Sequence, residues 1–218
     1  MRITAVLFDI DGTLVDSNDF HAEAWVQAFA AHGHDIDRAA IRAQIGKGAD
    51  MLVPALTPGA SEEETETLGE AHGEAFKGKY LEQVRPFPSA HDLIVRVHEA
   101  GLKVALASSA SKGELDHYVE LLGIADFVDA TTTIDDVKNS KPAGDIVASA
   151  LGKLGVEAGA ALFVGDTPYD IEAGAKAGVA TIAVLSGGFA RETLTDATVV
   201  YDDAAALLAA FPKWVEAR

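Results

Sequence analysis

The chain has 218 residues, 49% hydrophobic and 23% charged, enough apolar mass for one large domain or for a core that carries an insertion. Its formal net charge is -17 at pH 7 and it has no local basic patch, so it would repel a nucleic-acid backbone. It contains no cysteine, which removes disulfides, thiolate nucleophiles and cysteine-based zinc sites and is compatible with the cytoplasm.

The first element is a near-continuous apolar run at residues 3–8 (ITAVLF), the pattern of a strand buried on both faces. The opening MRITAVLFDID reads as neither a secretion signal nor a membrane span. No other stretch approaches the roughly 18 apolar residues that a span needs. From about Asn18 to Val84 no convincing strand occurs. Helical patterns cover residues 19–31, 36–45, Ala49–Leu56 and 61–83, and the last opens on Ser61 with three glutamates in its first turn. Alternation then begins. A helix at 90–100 leads to a strand at Lys103–Ala107, a helix at Lys112–Leu122 and a short strand at 127–129. A helix at 143–154 precedes a strand at 161–164, a helix at 169–177 precedes a strand at 181–185, and a weaker strand lies at Val199–Tyr201. Gly101, Gly123, Gly155 and Gly178 follow the four helices, where a left-handed residue stops a helix.

Strand–helix alternation of this kind predicts a Rossmann-like α/β core of three layers with a central parallel sheet. Because the strands before and after the helical stretch belong to one sheet, residues 18–84 are read as an inserted all-helical domain, and 1–17 with 85–218 as the core. The hinges fall at residues 16–18 and 84–89 (VRPFPS), the second stiffened by two prolines. There is no internal repeat or low-complexity tract.

In an open parallel sheet ligands bind beyond the carboxyl ends of the strands, so the residues that follow each strand decide the chemistry. After the first strand come Asp9, Asp11, Gly12 and Thr13. After the second come Ser108 and Ser109. After the third come Asp166, Thr167 and Asp170, and Lys141 precedes a helix in NSKPAGD. Each alone has an ordinary structural reading: a DG turn, a serine N-cap, a proline in the first helical turn, a solvated lysine. Together they place several carboxylates at one sheet edge. Asp9 and Asp11 share a side of an extended chain, because side chains alternate with period two. Such a cluster needs cations, and Mg²⁺, a hard ion for oxygen ligands, suits it, with Lys141 as a fixed positive charge. An aspartate can attack phosphorus, a second carboxylic acid can protonate the leaving alkoxide and then activate water, and helix N-termini can hold phosphoryl oxygens. Gly12 lets the backbone approach closely.

The motifs D-x-D-G-T-L-V-D-S, a strand ending in serine, a lone K-P and G-D-T-x-x-D, in this order, resemble those of the haloacid dehalogenase superfamily over essentially the whole chain. The helical insert directly after the first motif resembles the subgroup with an α-helical cap, which includes phosphoglycolate phosphatase and β-phosphoglucomutase. The resemblance implies that Asp9 is the nucleophile and an Mg²⁺ ligand, and that Asp11 is the general acid/base whose main-chain carbonyl also binds Mg²⁺. It implies that Ser108 holds a phosphoryl oxygen, with Ser109 and Gly12 beside it, and that Lys141 neutralises charge on nucleophile and phosphate. Asp166 is implied as the remaining metal ligand, Asp170 as the residue ordering the metal's waters or Lys141, and Thr13 as a supporting hydroxyl. Two departures stand out. Gly144 replaces a common proline in KPAGD and is expected to loosen that loop, and Thr167 replaces a serine and keeps the hydroxyl.

Within that family, Asp11 argues for phosphate-ester cleavage over dehalogenation, because a departing halide needs no proton. Gly165-Asp166-Thr167 lacks the extra glutamate of the mutases, and the stretch Gly46-Lys47-Gly48-Ala49-Asp50 lacks their arginine. The expectation is therefore a phosphatase acting on a small phosphate ester. A phosphomutase of the β-phosphoglucomutase type and a non-catalytic phosphate-binding regulator are the alternatives. Loss of Asp9 or Asp11 would mark the regulator, and neither is lost. Lys47 is the main candidate for a substrate contact from the cap. His21 either meets the leaving group or packs near the hinge. His32, His34, His72, His91, His98 and His117 lack ligand spacing and are read as surface or partly buried. Phosphoglycolate, a sugar phosphate and a nucleotide monophosphate all stay open as substrates.

Overall fold

In the computed structural model, which describes residues 2–211, strand β1 (Ala5–Phe8) runs into a two-residue strand, β2 (Val15–Asp16). Four helices follow, α1 (Asn18–Ala31), α2 (Arg38–Arg42), α3 (Ala49–Leu56) and α4 (Glu62–Lys79), and then a second two-residue strand, β3 (Arg85–Pro86). The remainder is α5 (Ala90–Glu99), β4 (Lys103–Ala107), α6 (Lys112–Leu122), β5 (Ala130–Thr132), α7 (Asp145–Leu154), β6 (Ala161–Gly165), α8 (Pro168–Lys176), β7 (Ala180–Val184), β8 (Val199–Tyr201) and α9 (Ala204–Ala209). No helix among the described residues is long and apolar enough to cross a membrane.

The main sheet has six strands in the order β5-β4-β1-β6-β7-β8, every pair parallel. The apolar runs make sense on this geometry, because alternate residues of each strand feed different cores. Val6, Phe8, Val104 and Leu106 pack with Ile94, Val97, Leu115 and Tyr118 of α5 and α6. Leu7, Ala105, Ala107 and Phe163 face the other way, onto Ile146, Val147 and Ala150 of α7. The sheet is thus the middle of three layers. A separate core lies within the insertion, where Trp25 and Phe29 of α1 meet Ile41, Leu52, Val53 and Leu68. The helical insertion therefore has an apolar interior of its own, while Ala24 and Phe76 also pack into the core beneath the sheet. All four expected stop glycines have positive φ.

The structure corrects the expected elements in several places. Residues 127–129 are not a strand: a turn of 3-10 helix ends at Phe127, and pairing starts at Ala130. Asp129 explains the delay, since its carboxylate takes the amide of Val104 at 2.8 Å where a ladder carbonyl would otherwise sit. The helix expected over 36–45 shrinks to Arg38–Arg42, because Asp37 caps it through the amides of Ala39 and Ala40. The helix expected over 61–83 ends at Lys79 and continues only as a 3-10 turn. The two hinges are not independent linkers. Val15 pairs with Pro86 and Asp16 with Arg85 in an antiparallel ribbon that ties the way into the cap to the way out. Gly144 does not loosen its loop. It caps α7 so close to the end of α8 that an added Cβ would lie 3.2 Å from the Ala177 amide.

Candidate active site

β1 lies between β4 and β6, and the strand order runs away from it in both directions. The carboxyl ends of these three strands therefore open onto one crevice. A cleft of about 870 Å³ occupies it, walled on the core side by Asp9, Asp11, Ser108 and Lys141 and on the cap side by Lys47 and His72.

Lys141 is the centre of the charged group. Only 1% exposed, its Nζ donates to Asp9 Oδ1 at 2.6 Å and to Asp170 Oδ1 at 2.7 Å. The other oxygen of Asp170 accepts from the amide and hydroxyl of Thr167, which makes Asp170 at once the third residue of a helix capping box and an anchor for the lysine. The structural reading of GDTPYD holds: Thr167 caps the helix and Pro168 sits in its first turn. Asp166 accepts from Thr13 Oγ1 at 3.0 Å and from Asn18 Nδ2 at 2.9 Å. Gly12 is required by space: a Cβ there would fall 2.1 Å from Asn18 Nδ2 and 2.3 Å from Asp166 Oδ2.

One ammonium does not balance three buried carboxylates. Burial pushes Asp9 well above the usual carboxylate range; Lys141 opposes this, and Asp170, Asp166 and Asp11 reinforce it. Asp166 is pushed up to about 7, again by burial first and then by Asp170. Ligand oxygens of Asp9, Asp166 and Asp170 lie within 4.8 Å of one another. An oxygen-only, charge-excess cluster of this size fits a hard divalent cation. Asp170 and Asp166 each have both oxygens engaged, and Asp9 keeps one oxygen that accepts no hydrogen bond from a described residue. The Asp11 side chain is not in this cluster.

Asp11 turns instead toward the cap. Its Oδ1 accepts from Ser17 Oγ at 2.6 Å and lies 3.1 Å from His21 Nε2. Burial pushes Asp11 up, but the charge and hydrogen bond of His21 and the hydroxyl of Ser17 outweigh it and hold the carboxyl below its ordinary value. His21 is raised in turn, because Asp11 overrides burial. Behind His21, its Nδ1 meets His72 Nε2 at 3.2 Å, and the His72 ring stacks on Trp25 at 4.3 Å between centroids. Burial, with His21 beside it, holds His72 well below the ordinary imidazole value. In the Asp11–His21–His72 row the surroundings thus favour a proton on His21 over the other two.

Ser108 Oγ accepts from the Ala110 amide at 3.0 Å, which leaves its own O–H free to donate. Ser109 Oγ reaches across to the carbonyl of Gly46 in the cap at 3.3 Å. Lys47 reaches the cleft, with Nζ 2.5 Å from Gln44 Oε1 and 4.4 Å from the centre of the Tyr169 ring. Burial lowers its pKa. The structure thus brings Asp9, Asp11, Lys141, Ser108, Lys47 and His21 to one cleft, with Asp166, Asp170 and Thr13 directly behind. Sequence reasoning missed three partners. Ser17 and Asn18 sat at the end of the first motif and were read only as a hinge, although hydroxyl and amide donors at the start of the helix that follows a carboxylate turn are a usable signal. His72 carried none: its partner is 51 residues away.

The profile of the haloacid dehalogenase-like hydrolases matches residues 6–184. A phosphoglycolate phosphatase from Rhodospirillum rubrum is 32% identical over 214 residues, covering 93% of this chain and 88% of the relative. The pyrophosphatase PpaX from Halalkalibacterium halodurans is 30% identical over 186 residues, covering 84% of each. The crystal structure of a hydrolase from Pseudomonas syringae superposes with a TM-score of 0.90 at 27% identity, covering 96% of this chain and 98% of that one.

Proposed function

The chain belongs to the haloacid dehalogenase-like hydrolase family and is a phosphoric monoester hydrolase, and from this premise we propose that it is an Mg²⁺-dependent cytoplasmic phosphatase of a small phosphorylated metabolite, of the phosphoglycolate or sugar phosphate type, working through an aspartyl phosphate on Asp9. The observation that carries the reading is the Lys141 bridge. It fixes one oxygen of Asp9, at the mouth of a cleft large enough for a small ester, while the second oxygen accepts no hydrogen bond from any described residue. That second oxygen is the nucleophile.

It attacks phosphorus, and the bond from phosphorus to the ester oxygen breaks. The leaving alkoxide takes a proton that His21, 3.1 Å from Asp11, passes through the Asp11 carboxyl, which leaves Asp11 ionised and His21 neutral. Asp11, ionised again, then removes a proton from water, which attacks the phosphorus of the acyl phosphate. The bond to Asp9 breaks, inorganic phosphate departs and the carboxylate is restored. Ser108 O–H, with Ser109 and the backbone at Gly12, holds the phosphoryl oxygens. Lys141 balances the charge that builds between Asp9 and the phosphoryl group, and Asp170 keeps the ammonium there. Asp9, Asp166 and the main-chain carbonyl of Asp11 would hold Mg²⁺, with Thr13 and Asn18 orienting Asp166. When bound, the ion offsets the negative charge of the phosphoryl oxygens and of the ionised carboxylates.

Residues 18–84 act as the cap that closes the cleft against bulk water, hinged at the β2–β3 ribbon, with Lys47 and His21 as its contacts to the leaving group. The relatives named above act on different phosphates, so the family alone leaves the leaving group open. The test is phosphate release from an aryl phosphate with and without Mg²⁺. Metal-dependent release by the wild type, lost in Asp9→Asn, supports the proposal. No release by the wild type sinks it. Isomerisation of β-glucose 1-phosphate faster than its hydrolysis would replace it by the mutase reading.

A further inference from the structure

We propose that Asp50 is a positioning residue which, through Ser140, makes the placement of the Lys141 ammonium depend on docking of the cap. Asp50 lies in the first turn of α3, in the cap. Its Oδ2 accepts from the main-chain amide of Ser140, 90 residues away, at 2.9 Å. Two residues earlier, the Gly48 amide donates to Ser140 Oγ, also at 2.9 Å. Ser140 is fully buried and is the residue before Lys141. Its hydroxyl donates to the carbonyl of Lys141 at 3.2 Å, and its own carbonyl accepts from Ala143. The amide of Ser140 and the acceptor side of its hydroxyl are therefore both met by the cap, while the core reaches the turn through Lys176 Nζ on the Pro142 carbonyl at 3.0 Å. The approach is tight: a Cβ on Gly48 would lie 2.7 Å from Ser140 Cβ and 2.8 Å from Asp50 Oδ1.

The consequence is mechanical. A buried amide needs an acceptor, and here the cap supplies it. With the cap docked, Ser140 N–H is satisfied and the Ser140–Lys141 turn has one arrangement, with the ammonium between Asp9 and Asp170. With the cap away, that amide loses its partner and the turn gains freedom. Lys141 then neutralises Asp9 fully only when the cleft is covered, which joins substrate enclosure to activation of the nucleophile. Other contacts hold the cap loop to the core, Tyr169 Oη to the Ala43 carbonyl at 2.6 Å and Ser109 Oγ to the Gly46 carbonyl at 3.3 Å. Removing the Asp50 side chain should therefore free the turn without detaching the cap.

The experiment compares wild type, Asp50→Ala and Asp50→Asn, the last keeping an acceptor oxygen. The first readout is acylation of Lys141 by a small anhydride in metal-free buffer, quantified by peptide mass mapping against the exposed Lys112. Labelling of Lys141 in Asp50→Ala is expected to rise about tenfold, the opening that follows loss of one hydrogen bond of ordinary strength. Lys112 should not change, and Asp50→Asn should match the wild type. The second readout is turnover of an aryl phosphate, where kcat falls about tenfold in Asp50→Ala with KM little changed, and Asp50→Asn recovers. If Asp50→Ala does not fold, Ser140→Ala, which removes the Gly48 contact together with the hydroxyl's own bond to the Lys141 carbonyl, carries the same comparison. Unchanged Lys141 labelling, or a rise shared by Lys112, or equal damage in Asp50→Asn, overturns the proposal. The kinetic arm rests on the phosphatase reading and the labelling arm does not, so a wild type inactive on aryl phosphate would remove that reading and leave the coupling to be decided by labelling.

Discussion

Replacing Asp166 by Asn should make the metal-free protein more stable at pH 8 while abolishing its activity. The structure supplies the magnitude. Asp166 is fully buried and held at about 7 against an ordinary 3.8. A carboxyl raised on folding makes the folded state the better proton binder, so stability falls as pH climbs from the unfolded value through the folded one. At ~1.4 kcal/mol for each pH unit between them, the ionised carboxylate costs the folded state on the order of 4 kcal/mol at pH 8 and almost nothing at pH 4. Asn keeps both neighbours satisfied. Its carbonyl accepts from Asn18 Nδ2, and its amide donates to Thr13 Oγ1, whose hydroxyl now accepts. Thermal unfolding in a chelating buffer at pH 8 should therefore show the variant ahead by about ten degrees, as a 200-residue protein gains ~2–4 °C per kcal/mol. The advantage should shrink steadily toward pH 5. An Asn variant less stable than wild type at pH 8, or a gap that does not change with pH, would refute the crowding argument. Saturating Mg²⁺ should reverse the order, because only the wild type keeps the full ligand set.

Lys141→Met leaves Asp9 and Asp170 buried without their cation, and should cost about 3–5 kcal/mol of stability in chemical denaturation along with all turnover. Asp11→Asn should lower kcat by about 10²–10⁴ while an unreactive phosphate ester still binds, as measured by calorimetry. His72→Phe keeps a ring against Trp25 but removes the partner of His21 Nδ1; kcat should drop about ten- to hundredfold at unchanged KM, the worth of one hydrogen bond to a charged ring. Lys47→Met should raise KM for esters with an anionic leaving group and leave that for an aryl phosphate nearly unchanged, a split that a purely structural lysine would not produce.

Much of this was legible in the sequence because it is carried by local chemistry. The runs at Ala5–Phe8 and Lys103–Ala107 have no polar face, which dictates a sheet covered on both sides. Once the sheet is parallel, its strand ends collect Asp9, Ser108 and Asp166 without further information. What was not legible depends on partners distant along the chain. The delayed start of β5 follows from Asp129 occupying the Val104 amide. The hinge ribbon needs Asp16 and Arg85 to be adjacent in space. Gly144 looked permissive from its type, and only packing against α8 shows it as a close contact. Asp11 was expected on the metal side; its carboxylate turns to Ser17 and His21 because those donors lie on the first turns of α1, which the chain enters directly after the motif. His72 and Asp50 join the site only through the fold of the cap.

The central claim is a covalent phosphoryl group on Asp9. The direct measurement uses Asp11→Asn, in which the acyl phosphate forms from an activated aryl phosphate and its hydrolysis is slowed. Acid quench during turnover, borohydride reduction and peptide mapping then report where the phosphoryl group sat. Reduction of an aspartyl phosphate converts that residue to homoserine, and the account predicts this conversion at position 9 alone, absent without substrate and absent when Asp9 is also replaced by Asn. Conversion at another carboxylate, or sustained phosphate release by Asp9→Asn, would contradict it.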